Sequence, residues 1–254
     1  MTDTDPGFIF LHGFLGRAET RVLGYTFEYF RGLNAVIAET GIAAVIPQMP
    51  GRAGIEPRAV RAAAAMDRLQ ASNIAVVGVS MGGLVARALA AHHDPEKRIR
   101  TVVSIATPHR GSPLADRALS TDTRLPGWLV DQFAPAFHDL SAAGARAFNA
   151  RAPDRDDVRY LSWGFSRERA EMPLMLKRRQ QHIAEIEGPN DGMVSVASSR
   201  WSEAFTEGRA DHFETIGWSP KRADPKTGRP FDQQQLWRDV IRACREGCNT
   251  QDHD

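Results

Sequence analysis

Two cysteines, Cys244 and Cys248, are all that the 254 residues contain. That is too few for a disulfide framework, and with no CxxC and no neighbouring histidine set they make no zinc site. Standing four apart, they suit one face of a helix; two ordinary thiols are the expectation, a redox pair the alternative. No uninterrupted apolar run approaches the roughly 18 residues of a membrane-spanning helix. Residues 1–14, MTDTDPGFIFLHGF, carry two aspartates and no basic segment before their short apolar run, which is not a secretory pattern. Cytoplasmic residence is the default expectation; export without an N-terminal signal would leave no mark here. Excess charge is missing too. Lys plus Arg number 32 against 31 Asp plus Glu, so nothing argues for nucleic acid. Runs such as 177-KRR-179 read as solvated faces.

What is present suits one soluble core, a single domain over residues 1–250 with a polar tail at 247–254. The run 7-GFIFLHG-13 reads as a buried strand. A helix is expected over 27–40, then a strand at 42-IAAVI-46. An Ala-rich helix follows over 57–71, presenting Val60, Ala64 and Leu69. The run 73-NIAVVG-78 is strand-like, 82-GGLVARALAAHH-93 helical, and 101-TVVSIA-106 a further strand. Later strands are expected at 157-DVRYLSW-163 and 182-HIAEIEG-188. A final helix over 231–246 turns Leu236, Val240, Ile241 and Cys244 inward. Alternating short strands and helices predict an α/β fold, a mostly parallel sheet covered on both faces. Its functional loops gather at the carboxyl ends of the strands.

Residues 112–150 break the rhythm. Leu114, Leu125, Trp128, Leu129, Phe133, Phe137 and Phe148 are scattered through helix-permissive sequence with proline breaks. A helical cap supplying an apolar pocket is expected; ordinary covering helices are the other reading.

The chemistry starts at 78-GVSMGG-83. Gly78, Ser80 and Gly82 form GxSxG between a strand and a helix, where a sharp turn raises Ser80 toward substrate and amide dipoles stabilise developing negative charge. GxSxG alone says little; its strand–turn–helix setting says much more. An activated serine needs a base, and His212 is late in the chain and follows an acidic residue in 210-ADHFE-214. Asp191, in 189-PNDGMVS-195, sits in a turn after an expected strand and suits the orienting carboxylate. Asp191 capping its own turn with Asn190, and His212 as an exposed loop residue, are the bland alternatives. Ser80, Asp191, His212 is the nucleophile–acid–histidine order of an α/β-hydrolase. His92 and His93 fall at the far end of the nucleophile helix, and His253 in the polar tail. In 10-FLHGFLG-16 the first strand opens into a glycine-containing loop, so the amides of Phe14 and Met81 are the oxyanion-hole candidates. His12 reads as a local hydrogen-bonding residue.

Across 10-FLHGFLG-16, 29-YFRGL-33, 78-GVSMGG-83, 106-ATPHRGSPLAD-116, 160-YLSWG-164, 190-NDGMVS-195 and His212, the chain resembles the bacterial triacylglycerol lipase/esterase family of the α/β-hydrolases. The resemblance implies that Ser80, Asp191 and His212 form the triad, that residues 112–150 are a mobile cap, and that His109 is structural. It implies hydrolysis of small-molecule or lipid esters through an acyl-enzyme, with no cofactor required and with transient lipid-surface contact open. Thioester or amide hydrolysis, acyl transfer, and noncatalytic ligand binding are the rivals. Many secreted members bind calcium near the catalytic histidine; the corresponding acids are closest to Glu171 and Glu214. Trp218 stands where a polar ligand is expected, so a metal-free, salt-bridged loop is the reading adopted and calcium the alternative. Oligomeric state is left open.

Overall fold

The structure is a computed structural model that describes residues 5–14, 16, 19–22, 25–120 and 126–248. In chain order, the first strand β1 (Gly7–Leu11) leads into a hairpin, β2 (Glu19–Val22) and β3 (Tyr25–Glu28), followed by helix α1 (Leu33–Thr40) and strand β4 (Ala44–Val45). Then come α2 (Ile55–Met66), β5 (Ile74–Val79), α3 (Met81–His92) and β6 (Ile99–Ile105). Three helices follow, α4 (Pro113–Leu119), α5 (Gly127–Leu140) and α6 (Ala142–Arg151). Strand β7 (Arg159–Phe165), α7 (Leu174–Glu187), the short α8 (Val196–Ser199), β8 (Phe205–Gly208) and α9 (Gln233–Cys248) complete the order.

Six strands pair in the order β4-β1-β5-β6-β7-β8, all parallel, so every carboxyl end opens on the same edge. Alternation along each strand sorts the core into two layers. Ile9, Leu11, Ile74 and Val76 face α2 and α3, while Phe8, Phe10, Val77, Val103 and Ile105 face α1 and α9. On α9, Leu236, Val240, Ile241 and Cys244 are buried as the sequence predicts, together with Trp237. The side chains of Cys248 and Leu129, and the whole of Leu125, lie outside the described residues.

Three expectations need correction, and one strand was not expected. Residues 182–188 are not a strand but the end of α7, whose buried face is Leu176, Gln180 and Ile183; that 3.6-residue spacing is invisible within the short window itself. The helix expected over 27–40 forms over the eight residues of α1 only: residues 27 and 28 end β3, and Gly32 takes the left-handed region at the helix start. On α2 the inward residues are Ala59, Ala62, Ala65 and Met66, while Val60 is exposed. Strand β8 gives no sequence signal, being four residues at a half-exposed edge with no alternation. No described helix is long and apolar enough to cross a membrane.

The insertion between β6 and β7 is helical, as expected. Ser112 caps α4 by accepting the Leu114 N–H at 3.3 Å, with Pro113 in the first turn. Ser141 separates α5 from α6 and accepts the Gly144 N–H at 3.0 Å. Helix α5 is tied to the core where Asp139 Oδ2 accepts the Ile55 N–H at 2.6 Å, capping α2. Phe133 and Phe148 are buried, whereas Trp128 is 67% exposed.

Candidate active site

Strand β5 stops at Val79 and α3 starts at Met81, so Ser80 alone makes the turn. It holds φ 56° and ψ −129°, a left-handed conformation that costs a non-glycine residue about 1–3 kcal/mol. The turn is fixed by the Ser80 N–H donating to Ile105 O at 2.8 Å and the Gly83 N–H donating to Ser80 O at 3.0 Å. The small flanking residues are a steric necessity. A Cβ on Gly78 would collide with the backbone of Gly82, and one on Gly82 with the carbonyl of Leu11. Met81 is the first residue of α3, so its N–H has no partner within the helix and is free to point at a developing charge.

The facing loop is pinned from below. His12 is buried; its Nε2 accepts the Met49 N–H at 3.1 Å and its Nδ1 meets Gly13 O at 3.1 Å. Burial, against the bond to Gly13, lowers its pKa to about 4, so it is the neutral ring that holds the loop. Sequence reading missed Arg58. Wholly buried, it donates from Nη2 to Gly13 O at 2.8 Å and from Nε to Pro50 O at 3.3 Å. Burial pushes its pKa down to about 10, still cationic at neutral pH. Its position four before Ala62 and seven before Ala65 is the signal that places it on the inward face of α2. Tyr29 was also missed: its Oη accepts the Gly13 N–H at 3.1 Å, and burial raises its pKa to about 12. Phe14 follows, its ring 5.4 Å from Phe133 and 5.5 Å from Phe137 of α5. An apolar wall thus rises beside the elbow.

Asp191 and His212 are brought together. His212 Nδ1 lies 2.7 Å from Asp191 Oδ2, and both residues are buried. Asp191 follows α7 rather than a strand. It does cap its own turn, Oδ1 accepting the N–H groups of Met193 at 2.8 Å and Val194 at 2.7 Å, and this leaves Oδ2 for the histidine. Asn190 locks the approach, its side chain bonded to Gln180 O, Gly188 O and the Gly192 N–H. Burial of His212 opposes protonation, but the charge and hydrogen bond of Asp191, with Asp211 nearby, outweigh it and raise its pKa above 6.5. Ser80 stands on the same edge of the sheet, at the end of β5.

Two other histidines, His93 and His109, sit in structural surroundings, and His253 lies outside the described residues. His93 pairs with Glu56 at 2.7 Å at the far end of α3. His109 is fully buried and stacked on Trp201 at 4.9 Å, and neither ring nitrogen has a hydrogen-bond partner among the described residues. Glu171 and Glu214, the calcium candidates, lie close to each other but are engaged by Arg209 and Arg167. Trp218 carries Arg31 over its ring at 4.3 Å. Among the described residues no three His, Cys, Asp or Glu side chains gather as a metal site.

Comparison with known proteins agrees with this architecture. A yeast protein, triacylglycerol lipase 2 of Saccharomyces cerevisiae, is 29% identical over 212 residues; the match takes in 78% of this chain and 64% of that protein's length. The mature lipase BlEst2 of Bacillus licheniformis superposes with a TM-score of 0.67 at 19% identity, over 85% of this chain and 88% of that one. The lipase of Staphylococcus hyicus gives a TM-score of 0.71 at 15% identity, over 98% and 97% of the two chains. The family model described as the alpha/beta hydrolase fold matches residues 6–230. With a parallel sheet, a strained serine at the turn after its central strand and a buried acid–histidine pair on the same edge, the chain belongs to the alpha/beta hydrolase fold family.

Proposed function

We propose that this chain is a serine carboxylic-ester hydrolase that works through an acyl-enzyme on esters with apolar acyl groups. The observation that carries the reading is the backbone of Ser80. Ser80 is held at φ 56° as the single residue between strand and helix, with Gly78 and Gly82 packed too tightly for a side chain, which is the strained turn that raises a nucleophile. The Asp191–His212 pair supplies the base that this serine needs.

In this mechanism Asp191 holds the proton on His212 Nδ1, which leaves Nε2 to accept the proton of Ser80 as its oxygen attacks the ester carbonyl. The amides of Phe14 and Met81 bind the oxygen that becomes negative, and they act on the transition state more than on the ground state. His212 passes its proton to the departing alcohol. A water activated by the same ring then frees the acid and restores Ser80. None of these steps requires a cofactor.

Phe14, Phe133 and Phe137 support an apolar acyl group beside the elbow, with α4 to α6 as its cap. The yeast relative, named a triacylglycerol lipase, supports the same substrate class; this chain spans 64% of that relative's length.

The test is hydrolysis of a matched ester series from acetyl to long acyl chains, with Ser80→Ala as control. Turnover lost in that variant upholds the reading, and the chain-length optimum separates esterase from lipase. No ester turned over by the wild type would sink it and turn attention to thioesters and amides.

A further inference from the structure

The acids beside the histidine loop are paired with arginines from within the chain. Arg167, just beyond the end of β7, is 5% exposed. Its Nε and Nη2 fork onto Glu214 at 2.7 and 2.9 Å, and its Nη1 reaches Asp224 Oδ2 at 2.9 Å. Arg209 closes the cluster from outside, donating to the same Asp224 oxygen at 2.8 Å and to both oxygens of Glu171 at 2.8 and 2.9 Å. Three carboxylates thus surround one buried guanidinium, with a second at the rim.

The connections of Arg167 run to both members of the acid–histidine pair. Its N–H donates to Asn190 O at 3.1 Å, and Asn190 immediately precedes Asp191. Glu214, two residues past His212, accepts its fork, and Glu214 Oε2 also takes the Asp211 N–H at 2.7 Å, immediately before His212. The histidine is therefore braced on both sides through one carboxylate, and that carboxylate is fixed by one arginine.

We infer that Arg167 is a built-in structural cation, holding the loop of His212 in register with Asp191 at the acids where members of the resembled family hold calcium. A guanidinium stays charged at any working pH and, being covalently attached, cannot be removed by a chelator. Its planar fork matches the Glu214 carboxylate with two parallel bonds, which a lysine ammonium cannot reproduce. Arg167 touches no substrate and is a positioning residue. Its effect on rate rests on the reading of His212 as the base, whereas its effect on the Asp191–His212 bond does not.

The experiment compares wild type, Arg167→Gln, Arg167→Lys and Arg209→Gln as full-length chains. The first readout is kcat and KM for a soluble ester, normalised to sites titrated with a fluorophosphonate, with and without EDTA. The second is the downfield proton resonance of His212 Nδ1–H, identified by its loss in His212→Ala. The wild type is expected to ignore EDTA. Arg167→Gln is expected to lose about tenfold to a hundredfold in kcat with KM little changed, the scale of a small misplacement of a catalytic group. It should also lose the resonance. Arg167→Lys should fail to restore either. Arg209 is part-exposed, so Arg209→Gln keeps the proposal testable if Arg167→Gln does not fold; it should show a smaller loss in kcat and a broadened resonance. A folded Arg167→Gln with wild-type kcat and an intact resonance overturns the proposal, as does an unaltered Arg209→Gln where Arg167→Gln cannot be folded. A wild type inactivated by EDTA and restored by calcium also overturns it. If the wild type hydrolyses no ester, the resonance decides: its loss in Arg167→Gln upholds the brace while the esterase reading falls.

Discussion

His212 and Asp191 are joined twice. The ring Nδ1 lies 2.7 Å from Asp191 Oδ2, and the main-chain N–H of His212 donates to the Asp191 carbonyl at 2.9 Å. The backbone bond fixes the distance between the two loops whatever the state of the ring. A change confined to the Asp191 side chain should therefore alter proton chemistry without moving the histidine far.

Asp191→Asn is the direct consequence. The amide can still accept from Met193 and Val194, so the turn survives, but its NH2 would donate toward His212 Nδ1 and favour the wrong tautomer. The expected loss in kcat is about three to four orders of magnitude with little change in melting temperature, following the behaviour of serine triads in general. An Asp191→Asn variant within tenfold of wild type would show that Asp191 does not orient the base.

The raised pKa of His212 fixes the acid limb of activity. Protonated, the ring cannot accept from Ser80, so kcat/KM should fall as pH drops through a midpoint above 6.5. Removing the Asp191 charge takes away the main upward influence, and the midpoint should move down in Asp191→Asn. The stability linked to this group runs the other way. The folded protein holds the proton more tightly than the unfolded chain, so the contribution is full below pH 6.5 and is lost as pH rises through the folded value. A pH–rate profile with its midpoint below 6.5 would contradict this assignment.

Much of this site was legible because it is local or ordered along the chain. The GxSxG turn needs only five residues, and its strand and helix lie on either side. Asp191 and His212 followed from their order and their turn chemistry. The contacts that hold the site were not legible, for a physical reason. Arg58 serves a loop 45 residues earlier in the chain and Arg167 an acid 47 residues later, and no local pattern marks an arginine for burial at that range. The misread strand at 182–188 has the opposite cause. Its seven residues contain Ile183 and Ile186 but not Leu176, which reveals the helix; Ile183 is buried while Ile186 is 59% exposed.

Arg58→Met tests the floor of the oxyanion loop. The substitution keeps much of the side-chain volume but removes the charged donor from the carbonyls of Gly13 and Pro50, which keep only the neutral N–H groups of Gly16 and Ala53 and the contact of Gly13 O with His12 Nδ1. The Gly13–Phe14 peptide should lose its fixed orientation, and with it part of the charge stabilisation. A fall in kcat of about tenfold or more is expected in the protein that remains folded, with fluorophosphonate labelling of Ser80 slowed in parallel. Labelling at the wild-type rate in a folded Arg58→Met protein would show that Phe14 N–H takes no part.

His109 offers a prediction on stability alone. Its ring is buried with both nitrogens unpaired among the described residues, and burial, with Arg87 and Arg110 nearby, holds its pKa well below 6.5. His12 behaves alike, at about 4. Each binds a proton readily only when the chain unfolds. Their joint contribution to stability is therefore complete above pH 6.5 and is lost as pH falls toward 4. Phenylalanine at this position would keep the stack on Trp201 and remove both stranded nitrogens. His109→Phe should gain about 1–2 kcal/mol at neutral pH and show a shallower loss of stability between pH 6.5 and 5, measured by urea unfolding. A steeper acid loss in the variant would mean that the ring has a partner in solution, and that His109 is held by a hydrogen bond rather than by packing.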